Sequence, residues 1–278
     1  MKKHIRKIYY ALPLNLRYAL RRAFYLPTDL FNKQYYNGIE LPPKGMIYTG
    51  GGDFLLQAKK HTKYLQDFVG LDSNSKVLDI GSGIGRSAIG LTDVLKDKGE
   101  YYGFDIVDTG VNWCTNNISS KFPNFHFKHI EIINDLYSDD GIEGKDFVFP
   151  YPDSKFDIAF LMSVFTHMQV EEISNYLKEI NRVLNDDGKC MATFFLYDDK
   201  IEEKISNPKF RFSFQYEYDN YRLMNNKVKN ANIALSKTLL NELANKNNLK
   251  IERIIDGFWS EEVEITNNDF QDIVIFSK

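Results

Sequence analysis

Cysteine is nearly absent. Cys114 and Cys190 are the two in the chain, far apart and in no CxxC pair. This excludes a disulfide framework or a four-cysteine zinc site and makes a reducing cytoplasm the simplest setting. There is no run of about 20 apolar residues, which excludes a bilayer-spanning helix. An excess of base is also missing: Lys+Arg is 35, Asp+Glu is 38 and the net charge is −3. A general nucleic-acid binder is not expected from that balance. No internal repeat or low-complexity stretch occurs. The remaining composition, 43% hydrophobic and 26% charged over 278 residues, is that of a soluble globular protein.

Charge is unevenly placed. Up to Pro27 there are seven basic residues (Lys2, Lys3, Arg6, Lys7, Arg17, Arg21 and Arg22) and no acid before Asp29, so that the remainder carries −10. Asn15, Arg17, Arg21 and Arg22 interrupt any signal-peptide apolar core. Leu16, Ala19, Leu20, Ala23 and Phe24 recur at helical spacing. Two readings follow. One is a basic amphipathic helix touching anionic lipid at the inner face of the membrane. The other, preferred because Pro13 breaks the segment, is a solvated basic face on a helix that caps the core or a homo-oligomer interface.

Past residue 70 strands alternate with helices. Strands are expected at 76–80, 100–106, 125–130, 155–160, 189–196, 251–258 and 273–276, and helices at 87–95, 111–120, 170–184 and 236–247. That order implies an α/β fold, doubly wound, with a seven-stranded, mostly parallel sheet.

The chemistry begins at Val77–Arg86, VLDIGSGIGR, where a strand runs into Gly81-Ser82-Gly83-Ile84-Gly85 and then a helix. Glycines permit a sharp turn and close approach of a ligand. Alone, such a loop suits a dinucleotide, a phosphate or only a turn. However, Arg86 stands where GxGxxG needs its last glycine, and no P-loop lysine follows Gly85. Asp79 lies two residues before Gly81, where a phosphate site would avoid a carboxylate and a cationic ligand would meet one. Asp105 ends the second strand, 20 residues after Gly85. A carboxylate there can accept hydrogen bonds from vicinal ribose hydroxyls. A positively charged, phosphate-free nucleoside fits both acids, and S-adenosylmethionine has that description.

At these residues the chain resembles the class I S-adenosylmethionine-dependent methyltransferases. The resemblance runs from near Gly50 onward through VLDIGSGIGR, GFDI, FDIAFLMSVFTHM and YLKEINRVLNDDGKCMATFF. It implies a Rossmann-like fold and a methyl transfer by direct displacement. The glycine loop (Asp79, Gly81, Gly83, Gly85) would cradle the methionine part, and Asp105 with its neighbour Ile106 would hold the ribose side. Asp187 stands where the family usually has a second glycine. The combination of YTGGGDF, FPYPDSKFD, SVFTHM and GFWS looks like a bacterial subgroup associated with glycan and surface-polysaccharide pathways, which makes a sugar or glycan hydroxyl the first-choice acceptor and another small molecule the second. In this subgroup the loop holding Asp146 and Phe147 lies near the adenine. Residues 1–55 are read as basic extension and cofactor lid, and 56–278 as the catalytic domain, with an aromatic-rich insert at about 199–232.

Other positions carry two readings each. Ser163 and Val164, after the fourth strand, should flank the cofactor. His167 is either the general base that removes the acceptor hydroxyl's proton or a helix-capping group. Gly52 and Asp53 form either a lid or a plain loop with Asp53 as N-cap. Glu131 borders the adenine or the acceptor, or is a surface carboxylate. Alternation puts His126 on the opposite strand face from His129 and Glu131, so no metal site is expected. Phe210, Phe212, Phe214, Tyr216 and Tyr218, at period two, form a hairpin arm over the acceptor or pack on the core; Trp113 and Trp259 are open to the same choice. Rivals fail on specifics: SVFTHM has neither proline of a DNA amino-methyltransferase tetrapeptide, and there is no acid cluster for a metal-dependent or polyamine enzyme. A non-catalytic cofactor-binding scaffold remains as a different class.

Overall fold

The computed structural model describes residues 14–96, 98–134, 141–228, 230–261 and 269–278. Lys2, Lys3, Arg6, Lys7 and Pro13 of the basic segment lie outside the described residues. The chain opens with helix α1 (Leu14–Phe31) and a short hairpin, β1 (Tyr35–Tyr36) and β2 (Ile39–Glu40). Helix α2 (Phe54–Val69) leads into β3 (Lys76–Ile80), α3 (Arg86–Leu91), β4 (Glu100–Asp105), α4 (Asp108–Cys114), β5 (Phe125–His129) and β6 (Phe156–Leu161). Next come α5 (Val170–Val183), β7 (Leu184–Phe194), β8 (Leu196–Tyr197), α6 (Asp199–Ser206), β9 (Tyr216–Tyr218), β10 (Tyr221–Leu223) and β11 (Ile233–Ser236). Helix α7 (Lys237–Lys246), β12 (Lys250–Ile255) and β13 (Asp272–Ser277) end the fold.

Seven strands form one sheet in the order β12-β13-β7-β6-β3-β4-β5, in which β13 runs antiparallel to both its neighbours and the pairs from β7 to β5 are parallel. The expected doubly wound sheet is therefore present. Alternation along β3 shows why both of its faces are apolar. Leu78 and Ile80 join the core under α5, while Val77 joins the core under α2 and α3. Strand order reverses between β3 and β6, and this opens a crevice at their carboxyl ends.

Several boundaries move for local reasons. Helix α3 ends at Leu91, four residues early, with the Thr92 hydroxyl donating to the Ile89 carbonyl (2.7 Å). Helix α4 starts at Asp108 and widens into a π turn over Thr115–Ser119. In α1 the helical period is as expected, but its inward side is not. Leu16, Leu20 and Phe24 are exposed, whereas Arg17 and Arg21 are half-buried. Of the basic residues on this helix only Arg22 is exposed, so the preferred reading of a solvated basic face over an inward apolar one does not describe α1.

The insert supplies α6 and the β9–β10 hairpin, part of a second sheet ordered β8-β11-β10-β9. Its phenylalanines and its tyrosines part company: Tyr216 and Tyr218 on β9 are exposed, while the phenylalanines pack. Phe212 and Phe214 lie against Phe195 and Trp259 in a separate buried cluster. One carboxylate joins this layer to the main sheet: Asp272 on β13 accepts from Leu196 N, Gly257 N and Trp259 Nε1, each at 2.7 Å. Burial pushes Asp272 up to about 6 while these three donors hold it down. Replacing Asp272 by alanine strands three buried donors. Urea unfolding should show a loss of about 3–5 kcal/mol; a loss below about 1 kcal/mol would show that the carboxylate does not join the layers.

Candidate functional site

A cavity of about 560 Å³ lies at the carboxyl ends of β3, β4 and β6. That size suits a nucleoside-sized ligand with room for a second molecule. Its floor is the glycine loop. Gly81 N–H and Ser82 N–H both donate to the Phe104 carbonyl at 2.9 Å, which fastens the loop to β4. Gly81 (φ 83°) and Gly83 (φ 56°) adopt left-handed backbone, and a Cβ on Gly81 would sit 2.5 Å from Val164 Cγ2. Asp105 bridges the next turn, its Oδ2 accepting from Gly83 N–H (2.7 Å) and its Oδ1 from Val107 N–H (2.8 Å). The Tyr48 hydroxyl also donates to Asp105 Oδ1 (3.5 Å), and the carboxylate lines the cavity. Burial raises Asp105, and the two backbone donors oppose that rise.

The walls divide by chemistry. Phe104, Ile106, Ile130 and Ile132 make an apolar slot beside Asp105. The Ser82 hydroxyl, buried on the loop, has no hydrogen-bond partner among the described residues. Tyr48, Thr49, Gly50 and Gly51 line the opposite side. Arg86 ties that segment down by donating to the Thr49 carbonyl (3.0 Å) while its guanidinium lies over the Phe54 ring.

Beyond β6, Ser163 takes a left-handed backbone (φ 61°), uncommon for a residue with a side chain. Two bonds hold it there: Ser163 N–H donates to Thr193 Oγ1 (2.7 Å) and Ser163 Oγ to Gln271 Oε1 (2.8 Å). His167 follows in a one-turn 3₁₀ helix and lines the cavity. Its Nδ1 lies 2.8 Å from the Asn230 carbonyl, which can only accept, so Nδ1 carries the proton and Nε2 the lone pair. The Asn230 side chain returns the contact by donating to the His167 carbonyl (3.0 Å). Burial lowers the His167 pKa from its ordinary 6.5, so the ring is neutral at pH 7.

The structure brings together Gly81, Gly83, Asp105, Ile106, Ser163, Val164 and His167 on the cavity wall. Other sequence candidates stand elsewhere. Asp79 lies beneath the loop, where its carboxylate accepts from the Tyr101 hydroxyl (2.6 Å) instead of lining the cavity. Burial pushes Asp79 up to about 7. Gly85 faces away, where a Cβ would meet Cys114 and Ile118 at 2.7 Å. Asp53 is the N-cap of α2, accepting from Leu56 N–H (2.7 Å), and Gly52 beside it is also off the cavity wall, which Gly50 and Gly51 line instead. Asp146 is exposed, and Phe147 is core packed on Phe104, Phe149 and Tyr176. Glu131 is exposed and off the cavity wall. Trp113 and Trp259 are buried packing residues.

Sequence reading missed the end of the cavity away from Asp105. Helix α2 supplies Lys60, His61 and Tyr64, and the segment before β13 supplies Asp269, Phe270 and Gln271. Lys60 pairs with Asp269 at 2.9 Å. His61 Nδ1 meets Ser87 Oγ at 2.9 Å, and burial reinforced by the Arg86 charge lowers its pKa to about 4. A lone histidine in an amphipathic helix gives no signal by itself; only its place opposite the loop singles it out.

Residues 71–248 match a family described as a methyltransferase domain. Over 202 residues the chain is 26% identical to phosphoethanolamine N-methyltransferase of Plasmodium falciparum, covering 69% of this chain and 67% of that one. It is 27% identical over 164 residues to sterol 24-C-methyltransferase of Yarrowia lipolytica, covering 59% of this chain and 38% of that protein's length. Among solved structures the fold is similar to the PH0226 protein of Pyrococcus horikoshii (TM-score 0.54, 15% identity, covering 84% of this chain and 94% of that one). It is also similar to 1,6-didemethyltoxoflavin-N1-methyltransferase of Burkholderia thailandensis, solved with S-adenosylhomocysteine (TM-score 0.51, 15% identity, covering 80% and 77%). With the family match spanning more than half of its length, the chain belongs to the methyltransferase-domain family.

Proposed function

We propose that this enzyme is an O-methyltransferase that uses S-adenosylmethionine and takes a neutral, hydroxyl-bearing acceptor, a sugar or glycan first among them. The observation that carries the reading is the tautomer of His167: a neutral ring on the cavity wall, with Nδ1–H spent on the Asn230 carbonyl and Nε2 left as a base. An aliphatic hydroxyl is a poor nucleophile until its proton is taken, and Nε2 of His167 would take it.

The residues present fit the cofactor. Gly81 and Gly83 leave the side-chain-free approach that its methionine part needs, and Ser82 offers an unpaired hydroxyl. Asp105 would accept from the ribose hydroxyls, and the Ile106–Ile130–Ile132 slot would take the adenine. When bound, S-adenosylmethionine supplies a methyl group activated on a sulfonium. The protein's task is then to exclude water, align the acceptor and move one proton. Residues 1–55 act as extension and lid, with Tyr48 to Gly51 as the closing part, and 56–278 as the catalytic unit.

The acceptor end favours a hydroxylated molecule. Lys60, Asp269, Gln271 and Ser163 offer donors and acceptors beside the rings of Phe258 and Phe270, a mix that suits a sugar's hydroxyl edge and apolar face. Similarity to a phosphoethanolamine N-methyltransferase supports a second reading, N-methylation of a small amine. A screen of nucleotide-sugars, oligosaccharides and small amines with methyl-labelled cofactor, read by mass spectrometry, separates the two.

Three outcomes are expected. His167→Ala should lower methyl transfer about 100-fold and remove the acid limb of the rate profile below pH 6.5, with cofactor affinity little changed; full turnover would end the assignment. Asp105→Asn should weaken cofactor binding about 10- to 100-fold by calorimetry, and unchanged affinity would contradict the ribose role. Asp79 has a carboxyl raised by burial from 3.8 to about 7, so the folded apo-protein holds that proton more tightly than the unfolded chain. Its contribution to stability is complete below pH 3.8 and is lost as pH rises to about 7. Asp79→Asn should therefore melt higher than the parent at pH 8 by calorimetry, with the difference shrinking toward pH 4. A constant difference across that range would refute the raised pKa.

A further inference from the structure

Helix α1 is turned inside out relative to a core-packing amphipathic helix. Placed at 100° per residue, its apolar side chains fill one arc: Leu16, Leu20 and Phe24 on one side, Leu26 and Leu30 on the other, with Ala19, Ala23, Pro27 and Phe31 among them. Every one of these is exposed, Phe24 by 76% and Phe31 by 86%. The polar arc faces the protein. Asp29 accepts from Lys44 N–H (2.8 Å) and Gly45 N–H (3.0 Å), and the Tyr18 ring lies 5.8 Å from that of Tyr48 on the lid. Arg22 borders the apolar arc on one side and Arg17 on the other. An apolar face of this extent left in water is a cost that scattered exposed side chains do not incur.

We infer that α1 is a membrane-surface anchor that docks this apolar arc into an anionic bilayer, with the helix lying in the interface plane. Charge selects this occupant. The segment through Pro27 carries +7 while the rest of the chain carries −10. Anionic headgroups attract the first and repel the second, so only one orientation is favourable. A second copy of the chain docking on the same face would bring two +7 segments together. Crossing the bilayer is not in question, because no helix among the described residues is long and apolar enough. Amphipathic helices with basic flanks bind in this way through buried apolar area plus headgroup attraction. The Tyr18–Tyr48 contact sets the lid of the cavity directly behind the docked helix.

The test is co-sedimentation of the full chain with vesicles of phosphatidylcholine alone and with about 30 mol% phosphatidylglycerol. At least ten-fold more protein should pellet with the anionic vesicles, and about 0.5 M salt should release most of it. Leu20→Asp and Phe24→Asp, both on exposed side chains, should each lower the bound fraction about ten-fold while leaving the melting temperature and cofactor affinity unchanged. Failure to pellet with either vesicle, or equal pelleting with both, overturns the proposal. So does a wild-type dimer in sedimentation equilibrium that Phe24→Asp dissociates, since the arc would then be a self-association face. None of these readouts depends on the identity of the acceptor.

Discussion

Two carboxylates, Asp79 and Asp105, are buried at the carboxyl ends of adjacent parallel strands, and neither is salt-bridged to a lysine or arginine among the described residues. Taking such groups out of water is costly, and the surrounding structure is the set of ways that cost is met. Asp105 is met by backbone: the Gly83 and Val107 amides point at its two oxygens. That demand fixes the path of the glycine loop, because Gly83 N–H reaches Asp105 only if the chain turns through left-handed backbone at Gly81 and Gly83. Asp79 is met by the Tyr101 hydroxyl and by holding its own proton to about pH 7. A cation bound above the loop would lower the cost of burying a charged Asp105, which lines the cavity, whereas a phosphate would raise it.

His167 is held by a different logic. His167 owes its tautomer to a carbonyl from the segment between β10 and β11, far along the chain, and the Asn230 amide closes the loop by gripping the His167 backbone. The second sheet is therefore more than a cover over the core. It sets which nitrogen of the histidine is basic, and Asp272 anchors that sheet to the main one. Packing among Phe195, Phe212, Phe214 and Trp259 gives the layer its rigidity, which a base needs if it is to stay within hydrogen-bonding reach of a hydroxyl.

What could be read from sequence was local. VLDIGSGIGR places a strand, a turn and a helix in succession, and Asp105 was legible because a strand end leaves one direction open. The misplacement of Asp79 has an equally local cause. On β3 it alternates with Leu78 and Ile80 and so shares the face of Val77, under α2 and α3 rather than over the loop. Asp53 was a cap, as the bland reading held, because a carboxylate before a helix answers free amides first. Asp146 and Phe147 had no support but resemblance. His61 and Gln271 were invisible for another reason: their role is made by contacts between α2, the glycine loop and the strand-end segment, which no spacing rule encodes. The α1 helix shows a third limit. Periodicity identifies two faces but carries no sign for which is inward, and it is the polar face that meets the protein, Tyr18 against Tyr48 and Asp29 on the Lys44 and Gly45 amides.

On the proposed reading, the end of the cavity away from Asp105 would also bear on what can be methylated. Its polar groups are already satisfied by one another, Lys60 by Asp269 and Ser163 by Gln271. An acceptor bearing a net charge must compete with the partner of Lys60 or Asp269, and removing one member of a partly buried pair leaves the other uncompensated. A hydroxyl can donate and accept at once, so it can join either pair without breaking it. Exchange of that kind costs little and is repeated at each hydroxyl of a polyol, whereas a phosphate or ammonium would have to displace an ion to enter. On the proposed reading these four side chains would admit a neutral, hydroxylated acceptor more readily than an ion, and its proton would pass to His167, whose ring burial keeps uncharged at pH 7.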